Sequence, residues 1–338
     1  LKILENIKLA PYTTFKIGGP ARFFCIVSDE KELKEAVEFA RKNNLPIFIL
    51  GGGSNILISD EGFPGLVVKM EMKGISPRNS EEGFVFISAA AGENWDAFVE
   101  YVVTNGYYGL ENLSAIPGTV GAAAVQNIGA YGADISGTID KVRALDLATM
   151  EFIDLNNAQC HFGYRDSLFK RQKGKYVITK VFFRLKKEGA VNIGYKDLRE
   201  YFAVRAAPTI QEIREAVIRV RADKLPDWTH CGTAGSFFKN PIISRERFEG
   251  LKKKYPNIPH FIQSDGRIKI ALGWILDKVC QIRGLTVENV GVYEKQALVI
   301  VAKAGATAGE VIGLTNEIIK RVKDKTSIQI EAEVEWVY

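Results

Sequence analysis

Residues 51–55 read Gly51-Gly52-Gly53-Ser54-Asn55, and the next four, Ile56-Leu57-Ile58-Ser59, have the apolar, β-branched character of a strand. That succession restricts the fold more than any other stretch of the chain. Three glycines remove every side chain that could keep a ligand from the backbone. Glycine also reaches positive φ cheaply, so successive N–H groups can converge on a phosphate. A P-loop would continue into Gly-Lys-[Ser/Thr], and the dinucleotide fingerprint of the doubly wound fold would open a helix. Neither pattern follows here, so neither of those nucleotide folds fits. A plain tight turn is the competing reading.

The chain reaches this loop through a β-α-β pattern. Residues 21–27 read as a strand, 28–44 as a helix and 46–50 as a second strand. Leu33, Ala36, Val37 and Ala40 recur at helical spacing, Asp29 and Glu32 have capping-box spacing, and Lys42 sits where the helix dipole favours a cation. From about 66 to 187 the pattern changes to strands (66–70, 84–91, 141–147, 175–187) with one short helix at 94–106. Residues 209–225 form an amphipathic helix with Ile213, Ala216, Val217 and Val220 on one face, ending at Leu225-Pro226. The remainder alternates helix and strand patterns and closes on a strand expected over 328–337. No internal repeat or low-complexity segment is present.

The totals narrow the function class. A length of 338 residues, 46% hydrophobic and 25% charged, suits a soluble protein of two or three domains. The net charge of +5, from 45 basic and 40 acidic residues, does not argue for nucleic acid. The four cysteines, Cys25, Cys160, Cys231 and Cys280, form no C-x-x-C pair, so no metal site is expected. The longest apolar stretch, 296–314, is broken by Lys303 and Glu310, too interrupted for a membrane span. The first residues lack the apolar run of a signal peptide, and a reducing cytoplasm is expected.

A second small-residue segment, "IPGTVGAAAVQNIGAYG", covers 116–132. Its glycines and alanines let an extended ligand lie along the main chain, with Thr119, Gln126 and Asn127 offering hydrogen bonds; close helix packing is the alternative. Two such loops on adjacent lobes suggest a long nucleotide cofactor held between them. Further on, "CGTAGSFFKNP" (231–241) places Ser236 between Gly235 and two phenylalanines. This is not the G-x-S-x-G elbow of a nucleophile, and none of the three histidines, His161, His230 and His260, is marked as a base. Ser236 reads as a hydroxyl that gives up a proton.

"GGGSN", "GLENLSAIPGTVGAAAVQNIGAYG", "YRDSLFK", "KLPDW", "AGSFFKNP" and "KIALGWILD" occur in that order. Together they resemble the UDP-N-acetylenolpyruvylglucosamine reductases, from about Thr14 to Val334. The resemblance implies an α+β chain. A two-lobed FAD-binding domain of the vanillyl-alcohol-oxidase/PCMH type is expected at 14–187 (lobes about 1–65 and 66–187), and an α+β substrate-binding domain at 208–338. It implies non-covalent FAD, since no histidine lies near either glycine loop to tether the flavin. NADPH is the implied co-substrate and a small UDP-sugar the substrate, with no nucleic acid, no membrane insertion and a monomer expected. Cofactor contacts fall on Gly51, Gly52, Gly53, Ser54, Asn55, Pro117, Gly118, Thr119, Gly121, Ala122, Asn127, Gly129, Tyr131, Gly132, Ile178 and Arg221.

The same resemblance implies three catalytic residues. Ser236 is the proton donor, and Arg165 in "GYRDSLFK" faces the enolate. The third is a glutamate before a valine, which selects Glu333. Strand alternation alone leaves Glu331, Glu333 and Glu335 equivalent on one face. Glu335 and Tyr293 stand where the family has an arginine and a histidine. Tyr164, Tyr195, Lys224, Lys239, Asn240 and Gln296 are the implied substrate contacts. Tyr195 belongs to the extra loop that closes over substrate in one type of the family. Another FAD oxidoreductase of the same fold, such as an alcohol oxidase, and a non-catalytic nucleotide-binding protein are the competing readings.

Overall fold

The computed structural model describes residues 1–203 and 207–338. The chain divides into two compact units, each assembled from separated segments. The first comprises Leu1–Ile7, Ala21–Gly52 and Pro64–Asp223; the second comprises Lys8–Pro20, Gly53–Phe63 and Lys224–Tyr338. These divisions differ from the expected cut in two respects. Residues 8–20 and 53–63 group with the C-terminal unit, and most of the helix at 210–224 groups with the first.

In the first unit a four-stranded sheet has the order Leu4–Lys8, Pro20–Val27, Phe63–Met70, Ile47–Leu50. The expected β-α-β unit is present, but Phe63–Met70 lies between its two strands and runs parallel to Ile47–Leu50. The helix Glu30–Lys42 buries Leu33, Ala36, Val37 and Ala40. Asp29 caps it by accepting from the Glu32 N–H at 2.7 Å. The Glu32 carboxylate reaches back to the Ser28 N–H at 2.7 Å, one residue beyond the cap itself. A second sheet, antiparallel, has the order Glu151–Asn156, Ile139–Asp146, Tyr176–Lys186, Phe84–Ala90, Ile75–Glu81. Its core anchor is aromatic: Phe98 of the helix Trp95–Thr104 packs on Phe183 with ring centroids 4.7 Å apart.

The helix Ile210–Lys224 joins this unit for reasons its apolar face alone does not give. Arg214 forks onto Asp96 with bonds of 2.6 and 3.0 Å, and Arg221 donates to the Ala115 carbonyl at 3.1 Å. Burial pushes the Asp96 carboxyl up. The Arg214 bond, the Ala115 N–H and the two arginine charges outweigh that and hold it below the usual carboxylate range. Ile213, Ala216 and Val217 bury against Leu198 and Phe202.

The second unit has a four-stranded sheet, ordered Gly232–Ser236, Val299–Ala302, Val290–Val292, Thr286–Val287, and a small three-stranded one. The helix Ala308–Thr326 opens with a full capping box from Thr307 and Glu310. Asp60 satisfies two further N–H groups of its first turn, Ala308 at 2.8 Å and Gly309 at 3.1 Å. No helix among the described residues is long and apolar enough to cross a membrane.

The strand expected over 328–337 is shorter. Only Glu335–Val337 is a strand, parallel to Ile56–Ile58. Upstream, Ala332 bridges Phe238, the Lys239 N–H donates to the Glu331 carbonyl at 3.0 Å, and the Glu333 N–H donates to the Phe237 carbonyl at 2.7 Å. The segment therefore changes ladder partner at Glu333–Val334, and a strand that changes partner must bend. Side-chain alternation does not run through that bend: Val334 and Val337 are buried, three residues apart.

Two glycines with similar dihedrals separate backbone strain from crowding. Gly53 (φ +64) and Gly235 (φ +73) both lie in the left-handed region. A Cβ on Gly53 would lie 2.0 Å from the Tyr12 carbonyl oxygen, whereas one on Gly235 would meet nothing within 4 Å. Gly235→Ala is expected to cost about 1–2 kcal/mol, the left-handed penalty alone. Gly53→Ala should lose more than that, because the main chain must also move. Urea unfolding of both variants checks this, and equal losses would contradict it.

Candidate functional site

The two glycine segments meet in the first unit. A Cβ on Gly52 would lie 2.5 Å from the Gly118 Cα, and one on Gly51 would lie 2.7 Å from Thr119 Oγ1. Gly121 approaches Ala91 as closely, at 2.7 Å. At these three positions the direction a side chain would take is filled by the chain itself. Lys69 Nζ donates to the Gly51 carbonyl at 2.8 Å, just past the strand Ile47–Leu50. Thr119 occupies the N-cap of the helix Val120–Gln126 but makes no capping bond, and its buried hydroxyl has no partner among the described residues. Burying a hydroxyl without a partner is costly, so Thr119 is the polar atom here that calls for a bound group. Pro117 and Gly118 are half-buried, and Ala122 is exposed.

Asn127 ends that helix in the left-handed conformation. Its side chain bonds the protein: Nδ2 donates to the Gly163 carbonyl at 2.7 Å, and Oδ1 accepts from the Ser136 N–H at 3.2 Å. Gly163 begins the turn that carries Tyr164 and Arg165; Gly163 and Asp166 exchange both backbone bonds across it, at 2.9 and 3.2 Å. Arg165 has φ +54, unusual for a residue with a side chain. Its guanidinium donates to the Gly129 carbonyl and lies 5.4 Å from the Tyr164 ring centre. A Cβ on Gly129 would lie 2.8 Å from Arg165 Nη1 and 3.0 Å from the Ala133 carbonyl oxygen, so a side chain there would displace the guanidinium.

Tyr131 (φ +48) and Tyr195 meet edge-to-face at 5.2 Å. Burial pushes the Tyr131 hydroxyl up to about 12, against the pull of the Arg221 charge; burial lowers Arg221 in turn. Tyr195, also raised by burial, sits in a loop tied down by Asn192 Nδ2, which donates to the Gly132 carbonyl at 3.0 Å. Ile178 is only 6% exposed within the five-stranded sheet, so its side chain belongs to the core.

In the second unit, Ser236 ends the strand Gly232–Ser236 at a register shift against Val299–Ala302. Thr14 pins the other end of the strand, accepting from the Thr233 N–H at 3.0 Å and donating its hydroxyl to the Thr233 carbonyl at 2.6 Å. Phe237 and Phe238 are both buried and pack edge-to-face at 5.2 Å. The Ser236 side chain is exposed, with no hydrogen-bond partner among the described residues. Glu333 is half-buried, its N–H on the Phe237 carbonyl. Asn55, expected to bind cofactor, donates Nδ2 to the Glu333 carbonyl at 3.1 Å and accepts the Glu335 N–H at 3.0 Å.

Of the implied substrate contacts in this unit, Lys239 pairs with Glu331 at 3.6 Å. Asn240 caps the turn at Leu272 at 2.9 Å. Gln296 Oε1 accepts from the Leu298 N–H at 3.4 Å, and a Cβ on Gly273 would crowd it at 3.1 Å. Gly273 was not singled out by the sequence, although "KIALGWILD" contains it. Gly53, Ser54 and Lys224 also fall in this unit, and Lys224 is half-buried.

A family profile described as "FAD binding domain" matches residues 21–151. One described as "UDP-N-acetylenolpyruvoylglucosamine reductase, C-terminal domain" matches residues 226–337. The UDP-N-acetylenolpyruvoylglucosamine reductase of Neisseria meningitidis serogroup A is 43% identical over 333 residues, 97% of this chain and 96% of its own. That of Paraburkholderia xenovorans is 41% identical over 335 residues, 98% and 96% of the two chains. Among solved structures, the UDP-N-acetylenolpyruvylglucosamine reductase from Thermus caldophilus aligns with TM-score 0.67 at 24% identity, covering 100% of this chain and 98% of that one, which shows a shared fold.

Thr119→Val tests whether the hydroxyl is without a partner in the ligand-free protein. The change keeps the shape and removes the desolvated polar atom, so ligand-free protein should gain about 1 kcal/mol in urea unfolding. A loss of stability would mean the hydroxyl is already hydrogen-bonded.

Proposed function

The chain belongs to the UDP-N-acetylenolpyruvoylglucosamine reductase family, and from that premise we propose that it reduces the enolpyruvyl ether of UDP-N-acetylglucosamine enolpyruvate to UDP-N-acetylmuramate for peptidoglycan synthesis, using FAD and NADPH. The first unit is assigned to flavin. The unpartnered Thr119 hydroxyl and the exposed Ala122 surface support this, with Pro117, Gly118, Tyr131, Gly132 and Arg221 as further candidates to hold it. When bound, the flavin supplies a hydride that it receives from NADPH. Most of the substrate contacts are assigned to the second unit. A cytoplasmic monomer acting on a small UDP-sugar, without nucleic acid, fits this reading.

The observation that carries the mechanism is the Ser236 hydroxyl. It is exposed, it has no protein partner among the described residues, and two buried phenylalanines follow it. Once one carbon of the enol double bond has taken the hydride, charge develops on the other and spreads into the carboxylate as an enolate. That carbon is basic, so a serine O–H can give it a proton; placement matters more than acidity. Arg165 is assigned to the enolate oxygens, where a fixed fork of N–H donors stabilises developing charge. Its left-handed backbone supports the assignment, since strain of this kind gathers at functional sites.

Glu333 is assigned as the third catalytic group. Glu331 is already paired with Lys239 and its side chain is 75% exposed, which favours Glu333. Lys224 is assigned to the phosphates; Lys239, Asn240, Gln296, Tyr164 and Tyr195 to the rest of the substrate.

Ser236→Ala gives the decisive measurement. Stopped-flow absorbance should show NADPH bleaching the flavin at near the normal rate. Reoxidation by the enolpyruvyl substrate should slow by roughly 10²–10⁴-fold, the usual worth of a positioned acid. Equal slowing of both half-reactions would make Ser236 a structural residue; no slowing would assign the proton to another group.

Two further outcomes follow from the same assignments. Lys224→Ala should raise KM with kcat little changed, because it removes a ground-state contact; a fall in kcat at constant KM would refute that role. Acid precipitation should release the flavin from the wild type, and colour retained by the pellet would refute non-covalent binding.

A further inference from the structure

Four contacts join the end of the helix Val120–Gln126 to the hairpin that carries Arg165, all within the first unit. The Ser167 hydroxyl donates to the Val125 carbonyl at 2.6 Å. Lys170 Nζ donates to Gln126 Oε1, and also to the Arg165 carbonyl at 3.1 Å. Asn127 Nδ2 donates to the Gly163 carbonyl, and the Arg165 guanidinium to the Gly129 carbonyl. We propose that Asn127 is a positioning residue for Arg165: its amide sets the register of the hairpin on the glycine-rich segment and so aims the guanidinium. This rests on the catalytic role assigned to Arg165 above.

The chemistry of the bonds gives Asn127 this task. A carbonyl only accepts and an N–H only donates, so Gly163 O and Ser136 N together fix which way the amide points. Only asparagine or glutamine offers both a donor and an acceptor of this kind, and the left-handed backbone at Asn127 is one that asparagine tolerates well. Asn127 is 4% exposed, so both bonds lie out of bulk water and removing the side chain takes a partner from two buried main-chain groups. The hairpin itself is two residues long, and its backbone closes on itself across Gly163 and Asp166, so its direction is set by the side chains that tie it to neighbouring segments, Asn127 among them. Arg165 reaches Gly129 from that hairpin, two residues past Asn127. A shift of the Gly163 carbonyl therefore moves both ends of the guanidinium's support.

Asn127→Gly removes both side-chain bonds while keeping the left-handed conformation at no steric cost. In the holoenzyme, flavin reduction by NADPH should be unchanged. Reoxidation at saturating enolpyruvyl substrate should slow roughly 10- to 100-fold, the scale of a misplaced catalytic group. The discriminating readout is the double variant: in an Arg165→Ala background, Asn127→Gly should slow reoxidation no further, because residues acting as a unit are non-additive. Asn127→Asp, which keeps the acceptor for Ser136 but sets a buried carboxylate oxygen against the Gly163 carbonyl, should slow reoxidation at least as much.

Equal slowing of both half-reactions, loss of flavin, or an additive loss in the Arg165→Ala background would overturn the proposal. So would failure of both single variants to fold, which would make Asn127 purely structural. If Arg165→Ala itself reoxidises at the normal rate, the catalytic assignment of Arg165 fails first, and this inference with it.

Discussion

Gly52 and Gly118 approach so closely that neither loop could be built with a side chain at residue 52. Much of the first unit's site follows from that contact. It sets Gly51 against Thr119, and Thr119 opens the helix whose far end is Asn127. Gly129 then leaves the space that the Arg165 guanidinium fills. One backbone-to-backbone contact thus settles where a short helix starts, and the length of that helix settles where the arginine hairpin docks. On the other side of the contact the chain leaves the first unit at Gly52 and enters the second at Gly53.

The two asparagines that close the glycine motifs have parallel uses. Asn127 braces the hairpin of Arg165; Asn55 braces the backbone of Glu333 and Glu335. Both side-chain amides bond main-chain atoms, so they set where a backbone lies. Positive φ accompanies them: Asn127, where asparagine tolerates it, and Tyr131 and Arg165, each held by a hydrogen bond to or from a neighbouring segment.

In the second unit the same result comes from a change of ladder. The Phe237 N–H still bonds the Leu298 carbonyl, while Phe238 already bridges Ala332. With partners on both sides, consecutive phenylalanines are both buried, which a strand with one wet face would not allow. Ser236, just before the switch, is left exposed. Gly235 at φ +73 turns the chain there, with open space where a Cβ would be.

Local pattern was enough to read the elements. Helical spacing found Glu30–Lys42 and Ile210–Lys224, the absence of a helix after Gly53 was visible in Ile56–Ile58, and the long motifs around Ser236 and Arg165 identified the family. These features depend on neighbours in sequence, so sequence alone determined them. What it could not decide were features that depend on a distant partner. The Arg214–Asp96 fork, 118 residues apart, draws the helix into the first unit. A final strand that looked continuous breaks at Glu333 because 331–333 and 335–337 bond different segments. At Gly51, Gly52 and Gly121 the space a Cβ would take is filled by the chain's own atoms, and the side chains of Asn127 and Asn55 hold backbone. A glycine or an asparagine records only that something must come close or be hydrogen-bonded, and only the tertiary structure decides what.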